Sequence, residues 1–198
     1  MRIIRLFVML LVLLLTASLV AQDNAAKEKF NAGIKAKQAK NFAEAEKQFQ
    51  AAVGAYPQYK EAWLELGSAR FELNKGAQSE EAFQKAIALD PRYMPAYYNL
   101  GMVQLKAKKY TLAEASLKKS LELASNDAKT MKALGQLYLV QKNYDKSIEY
   151  YKMYISANST DAEAHFNLAQ AYKEKGGLAA AATAVNPARF TYRRARRP

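Results

Sequence analysis

His165 is the one histidine among 198 residues, and the chain contains no cysteine. A lone imidazole can shuttle a proton or supply one metal ligand. A metal site, however, asks for several His, Cys or carboxylate groups at matched spacing, which one histidine cannot provide. The missing thiols exclude disulfides, thiolate metal sites, a catalytic cysteine and a lipid-modified N-terminal cysteine. Two carboxylate pairs, Glu44/Glu46 and Glu80/Glu81, have the residue types for general acid–base work. Both stand where a helix begins, and acids there complement the positive end of the helix. They read as solvated helical starts. No phosphate loop, nucleophile elbow or Gly-rich fingerprint occurs. The chain therefore reads as a non-enzyme, with no catalytic residues, no metal ligands and no cofactor.

The elements that would position any function show themselves in a ladder. Gly33, Gly67, Gly101 and Gly135 recur every 34 residues, and Ala169 takes the next rung. Taking the small residue as the eighth position of a unit divides the body into 26–59, 60–93, 94–127 and 128–161, with a partial, degenerate unit over 162–186. Within each unit, positions 4, 7, 8 and 11 share one face of an amphipathic helix. Gly or Ala at position 8 removes side-chain bulk, so a neighbouring helix can approach closely. Turns fall at Lys40-Asn41, Asn74-Lys75-Gly76, Lys108-Lys109 and Lys142-Asn143, each followed by a second amphipathic helix such as Ala43–Ala55 or Ser79–Leu89. Pro57 and Pro91 stop two of these second helices, because proline lacks an N–H and clashes with the preceding turn. Asn126-Asp127 and Thr160-Asp161 offer helix caps where the later units have no proline.

These residues together resemble the tetratricopeptide repeat, a 34-residue helix–turn–helix unit. The leucine before the small residue is Leu66, Leu100, Leu134 and Leu168. The large residue at position 4 is Trp63, Tyr97, Met131 and His165, which gives His165 a packing role. The small residue of the second helix is Ala45, Ser79, Ala113, Ser147 and Ala181, and four residues on stand Phe49, Phe83, Leu117 and Tyr151. The resemblance implies an all-α fold, an α-solenoid wound as a right-handed superhelix. Stacked repeats make surfaces, and each unit buries its apolar face only against its neighbours. In the last unit, Ala162–Lys175 reads as a sound first helix. The run Leu178–Val185 after Gly176-Gly177 is short and has little to bury.

The resemblance also implies a concave face lined by the first helix of each unit. Carried onto this chain, that peptide groove comprises Lys27, Phe30, Ile34, Leu64, Phe71, Tyr98, Met102, Leu105, Lys132, Gln136, Leu139, Phe166 and Gln170. An apolar stripe edged by lysines suits a peptide or a helix, with aromatic and Met anchors carrying affinity. The competing reading is that several of these side chains pack against adjacent helices. Some members of the family grip a terminal carboxylate with a Lys–Asn clamp in the first unit; here Phe30 and Ile34 occupy those places, and that partner is not expected.

The formal charge of +12 belongs mostly to the ends. Without Arg2, Arg5 and the five arginines of the last ten residues, 23 basic residues face 18 acidic ones, leaving +5. Such a body gives no argument for nucleic acid. Residues 1–21 carry two early arginines, an apolar run from Leu6 to Leu15 and small residues after it. That is the pattern of a secretory signal peptide; the alternative is an uncleaved anchor, for which 16 apolar-rich residues are short. Residues 187–198 form a basic tail expected to be disordered, with weak contact to anionic membrane through its arginines as the sharper reading. The expected protein is an exported scaffold or adaptor of the bacterial periplasm or cell envelope. It would bind a protein or peptide, with inner-membrane association as the alternative. The oligomeric state is not written in the sequence.

Overall fold

A second ladder, hidden in the sequence, sets the turns. Lys40, Asn74, Lys108 and Lys142 have φ of 57°, 58°, 59° and 59°, and Gly176 follows with φ 93°. At each of these turns a left-handed residue ends one helix and lets the chain fold back. The backbone closes with paired bonds, as in Lys40 N–H to the Lys37 carbonyl (2.9 Å) and Asn41 N–H to the Ala36 carbonyl (2.9 Å). The longer of these bonds recurs at Lys75, Lys109, Asn143 and Gly177. This is the glycine-type helix ending, built here mostly on lysine and asparagine. A side chain in the left-handed region costs about 1–2 kcal/mol. Lys142→Gly is therefore expected to raise stability by about 0.5–1 kcal/mol, once the greater unfolded-state freedom of glycine is subtracted. Urea unfolding against Lys142→Ala as control measures it; a lower midpoint for the glycine variant would mean the lysine side chain makes compensating contacts.

The structure, a computed structural model, describes residues 23–184; the signal-peptide and basic-tail readings lie outside them. Among the described residues there are ten helices and no strand. They are α1 (23–38), α2 (Phe42–Ala55), α3 (Lys60–Glu72), α4 (Gly76–Leu89), α5 (Met94–Lys106), α6 (Tyr110–Leu123), α7 (Ala128–Val140), α8 (Tyr144–Ala157), α9 (Ala162–Glu174) and α10 (178–184). None of the described helices is long and apolar enough to cross a membrane. The chain forms two compact units, one ending at Ala96 and one starting at Tyr97.

In the first unit α3 packs on both α2 and α4. Its core gathers Ala45, Phe49, Ala52, Val53, Ala62, Leu66, Ala69 and Ala82. In the second unit α7 packs on α6 and α8, and α9 packs on α8. One cluster there joins Ala113, Leu117, Ala133, Leu134, Leu137 and Tyr138; another joins Ile148, Tyr151, Ala164, Leu168, Ala169, Ala171 and Ala184.

The glycine ladder is a close-approach device. A Cβ added to Gly33 would stand 2.6 Å from the Phe49 ring, one on Gly67 2.6 Å from the Phe83 ring, and one on Gly101 2.6 Å from Leu117 Cγ. At Gly135 the nearest atoms of Tyr151 lie 3.0 Å away. The large residue of each second helix thus rests on the bare backbone of its first helix. In two pairs a serine adds a bond across the same contact: Ser79 Oγ donates to the Gly67 carbonyl (2.7 Å) and Ser147 Oγ to the Gly135 carbonyl (2.9 Å).

Ser79 corrects one boundary. The sequence reading starts that helix at Ser79, a residue type common at helix starts, but α4 begins at Gly76 and Ser79 is buried inside it. Its hydroxyl serves the neighbouring helix instead. Asn41, Asp127, Asn143 and Asp161 do cap their helices, accepting from the N–H of Glu44, Thr130, Lys146 and Ala164.

Candidate functional site on the first helices

The candidate groove residues divide by what covers them. In the first unit, Lys27 of α1 pairs with Asp23 (2.6 Å). The Phe30 ring lies 5.7 Å from Phe49 and 4.9 Å from Tyr59, centroid to centroid, and Ile34 packs on the same core. Both side chains are half-buried, as are Leu64 and Phe71 on α3. Lys37 reaches from α1 to Glu65 of α3 (2.5 Å), so charge on this face is already matched.

In the second unit, Tyr98, Met102 and Leu105 of α5 lean on the cluster formed by α6 and α7, and Leu139 of α7 leans on the cluster built with α8 and α9. Burial pushes the Tyr98 hydroxyl above its ordinary pKa, with the Asp127 carboxylate adding to it and Lys132 opposing. Lys132 is not a free cation at the groove edge. Its ammonium donates to Asp161 (3.0 Å) and Glu163 (2.7 Å) and sits 5.7 Å from the centre of the Tyr154 ring. Burial works to lower its pKa, but the two carboxylates win and raise it. Three side chains remain open: Gln136, Gln170 and Phe166, the last 65% exposed.

Phe30, Leu64, Tyr98, Lys132 and Phe166 hold the same place in successive 34-residue repeats. Where the pairing is visible, the last residue of the same unit covers that place with matching chemistry. The Tyr59 ring lies tilted against Phe30, and Asp161 pairs with Lys132. Phe166 stands uncovered.

His165 is 5% exposed. Its ring nitrogens lie 3.2 Å from the Ala184 carbonyl and 3.0 Å from the Ser159 carbonyl, a structural tie between α9, α10 and the preceding turn. Glu46 is more than a solvated helical start. It accepts from Lys75 (2.6 Å) and Arg70 (3.3 Å), and Arg70 also reaches Gln50 (2.7 Å). Burial raises the Glu46 pKa and the two cations outweigh it, leaving it lowered. This knot ties α2 to α3 and its turn; sequence gave no sign of it, because its members are 24 and 29 residues apart.

Comparison with known proteins follows the same lines. The chain superposes on a MamA fragment from Desulfovibrio magneticus RS-1 with a TM-score of 0.82 and 22% identity, covering 87% of this chain and 98% of that one. It superposes on YrrB, described as a TPR protein with an unusual peptide-binding site, with a TM-score of 0.69 and 18% identity, over 81% of this chain and 82% of that one. PilF of Pseudomonas aeruginosa matches with a TM-score of 0.75 and 19% identity, over 85% and 77%. No curated protein matches the sequence. Residues 33–186 match the family model of the cilia and flagella-associated protein 70 middle TPR-like domain. The first helices thus belong to a tetratricopeptide-repeat α-solenoid, and the chain is a member of that TPR-like domain family.

Proposed function

We propose that the protein is a non-enzymatic interaction scaffold of the cell envelope that holds a peptide or helix against the first helices of its second unit. The observation that carries this reading is Phe166, 65% exposed at a groove position of α9. An exposed aromatic on a rigid helix is the kind of anchor that dominates binding. Gln136 and Gln170, exposed at equivalent places on α7 and α9, add amide donors and acceptors. The lysines first counted among the groove residues are tied up: Lys27 by Asp23, and Lys132 by Asp161 and Glu163. Recognition then rests on apolar and amide contacts and should depend weakly on salt. The peptide-binding site named for YrrB and the fold shared with PilF are consistent with this use of the repeat. An export signal over residues 1–21 would deliver it; an uncleaved anchor there is the second reading, separated from the first by the mature N-terminus in mass spectrometry.

A photo-reactive phenylalanine analogue at position 166 is expected to trap a partner in living cells, and the same analogue at Met153 of α8 is not. Phe166→Ala should lower capture at least tenfold while shifting the melting temperature little, since the ring is already in water. Equal trapping at both positions would move the binding surface off the first helices.

A further inference from the structure

Large apolar side chains stand exposed at five described positions: Leu112 (53%), Val140 (48%), Met153 (39%), Phe166 (65%) and Leu178 (70%). Isolated exposed leucines need no explanation. Three of these five, however, flank turns of one kind, though at different offsets from the left-handed residue. Leu112 lies four residues after the left-handed Lys108, Val140 two residues before the left-handed Lys142, and Leu178 two residues after the left-handed Gly176. These are the α5–α6, α7–α8 and α9–α10 turns. Because the helices alternate in direction, all three turns lie at one end of the second unit.

The same end is rich in lysine. Lys106, Lys108, Lys109, Lys142, Lys173 and Lys175 are all exposed there. Among the described residues, Lys108, Lys142 and Lys173 make no ion pair, while Lys175 pairs with Asp145. Lysines near helix C-termini complement the helix dipole, which accounts for Lys106 and Lys173 in the last turns of α5 and α9. It does not account for Lys108 and Lys142, which sit at left-handed positions where glycine would relieve strain. Nor does it account for the leucines and valine between them. In the first unit the places matching Val140 and Leu112 are polar (Gln38 and Glu72 two residues before Lys40 and Asn74, Glu44 and Gln78 four after), while the places matching Leu178 hold the half-buried Phe42 and Gly76.

We propose that this end of the second unit docks on an anionic lipid surface. Leu112, Val140 and Leu178 enter the headgroup boundary, while Lys108, Lys142 and Lys173 lie among the headgroup charges. Apolar tips flanked by lysine are the chemistry of an interfacial contact. The charged group here is lysine, a point charge that suits a diffuse anionic surface. Arginine forks would suit a specific phosphate better. This edge is separate from the groove face that carries the proposed partner, so one molecule can sit on a membrane and hold a ligand together.

The absence of cysteine makes the test direct. The full chain carrying Val140→Cys or Leu178→Cys is labelled with an environment-sensitive fluorophore. Ser125→Cys, exposed in the α6–α7 turn at the opposite end, serves as control. Vesicles of phosphatidylcholine with phosphatidylglycerol are expected to blue-shift the labels at 140 and 178 and leave that at 125 unchanged. Phosphatidylcholine alone should do neither. Lys108→Gln with Lys142→Gln should lower partitioning about 25-fold, roughly fivefold for each lysine. A shift at all three labels, or at none, overturns the proposal. So does a shift produced by polyglutamate and not by vesicles, which would assign the edge to an acidic protein.

Discussion

Gly67→Ala destabilises the first unit, by about 1–2 kcal/mol net, although alanine is the better helix former. The new methyl would stand 2.6 Å from Cε1 and 2.8 Å from Cδ1 of Phe83, whose ring is 1% exposed and has nowhere to turn. Overpacking of this kind costs about 1–3 kcal/mol, against a propensity gain of up to about 1 kcal/mol. Gly101→Ala should cost at least as much in the second unit. Its methyl would meet Leu117 at Cγ (2.6 Å) and at the backbone nitrogen (3.3 Å), so the α6 backbone itself must move. Gly135→Ala is the mild member of the series, because the nearest Tyr151 atoms stand at 3.0–3.1 Å and a small tilt of the ring suffices. There the two effects nearly cancel. The urea midpoint should be lowest for Gly101→Ala, equal or somewhat higher for Gly67→Ala, and nearest the native value for Gly135→Ala. If Gly67→Ala matched Gly135→Ala, the glycines would be serving flexibility and not close approach. A second check is Gly67→Ala with Phe83→Leu, which should recover part of the loss if the contact is its cause.

That glycine ladder could be read from the sequence because the physical demand allows one residue type. A backbone approached this closely tolerates nothing larger, so the requirement is printed as a letter. The left-handed ladder of Lys40, Asn74, Lys108 and Lys142 was not legible in the same way. Its cost is about 1–2 kcal/mol per residue, small enough for lysine to persist, so only the location of each turn showed and not its conformation. The groove positions were legible by register alone. Register put Phe30, Leu64, Tyr98, Lys132 and Phe166 in one row, but it could not tell that the Tyr59 ring packs against Phe30 and Asp161 pairs with Lys132 while Phe166 stays bare. Such cover comes from residues 29 positions away in the chain, at the end of the same unit. A residue's place in a repeat fixes which helix face it shares; its exposure depends on the side chain that the fold brings over it.

Asp161 is where this cover can be titrated. Its carboxylate accepts from the Ala164 N–H (3.0 Å), the Tyr154 hydroxyl (2.6 Å) and the Lys132 ammonium (3.0 Å). Burial, the largest single influence, pushes its pKa up. The hydroxyl, the backbone N–H and the lysine together overcome it and bring the pKa from 3.8 down to about 2. A lowered folded-state pKa means that the carboxylate stabilises the fold fully above its unfolded value. That contribution fades as pH falls through the unfolded and then the folded pKa. For a side chain 21% exposed, the shift corresponds to about 2 kcal/mol, gone once the pH is near 2. Asp161→Asn keeps a good helix cap, because asparagine caps as well as aspartate. It should therefore be less stable than the native protein by about 1–2 kcal/mol at neutral pH, with the gap closing as pH drops from about 4 to about 2. Asp161→Ala also loses the cap, adding about 1 kcal/mol that does not close with acid. Urea unfolding of the three proteins across that range separates charge from cap. Parallel curves for native and Asp161→Asn at every pH would show that the carboxylate's charge contributes nothing, and that Lys132 is held by Glu163 alone.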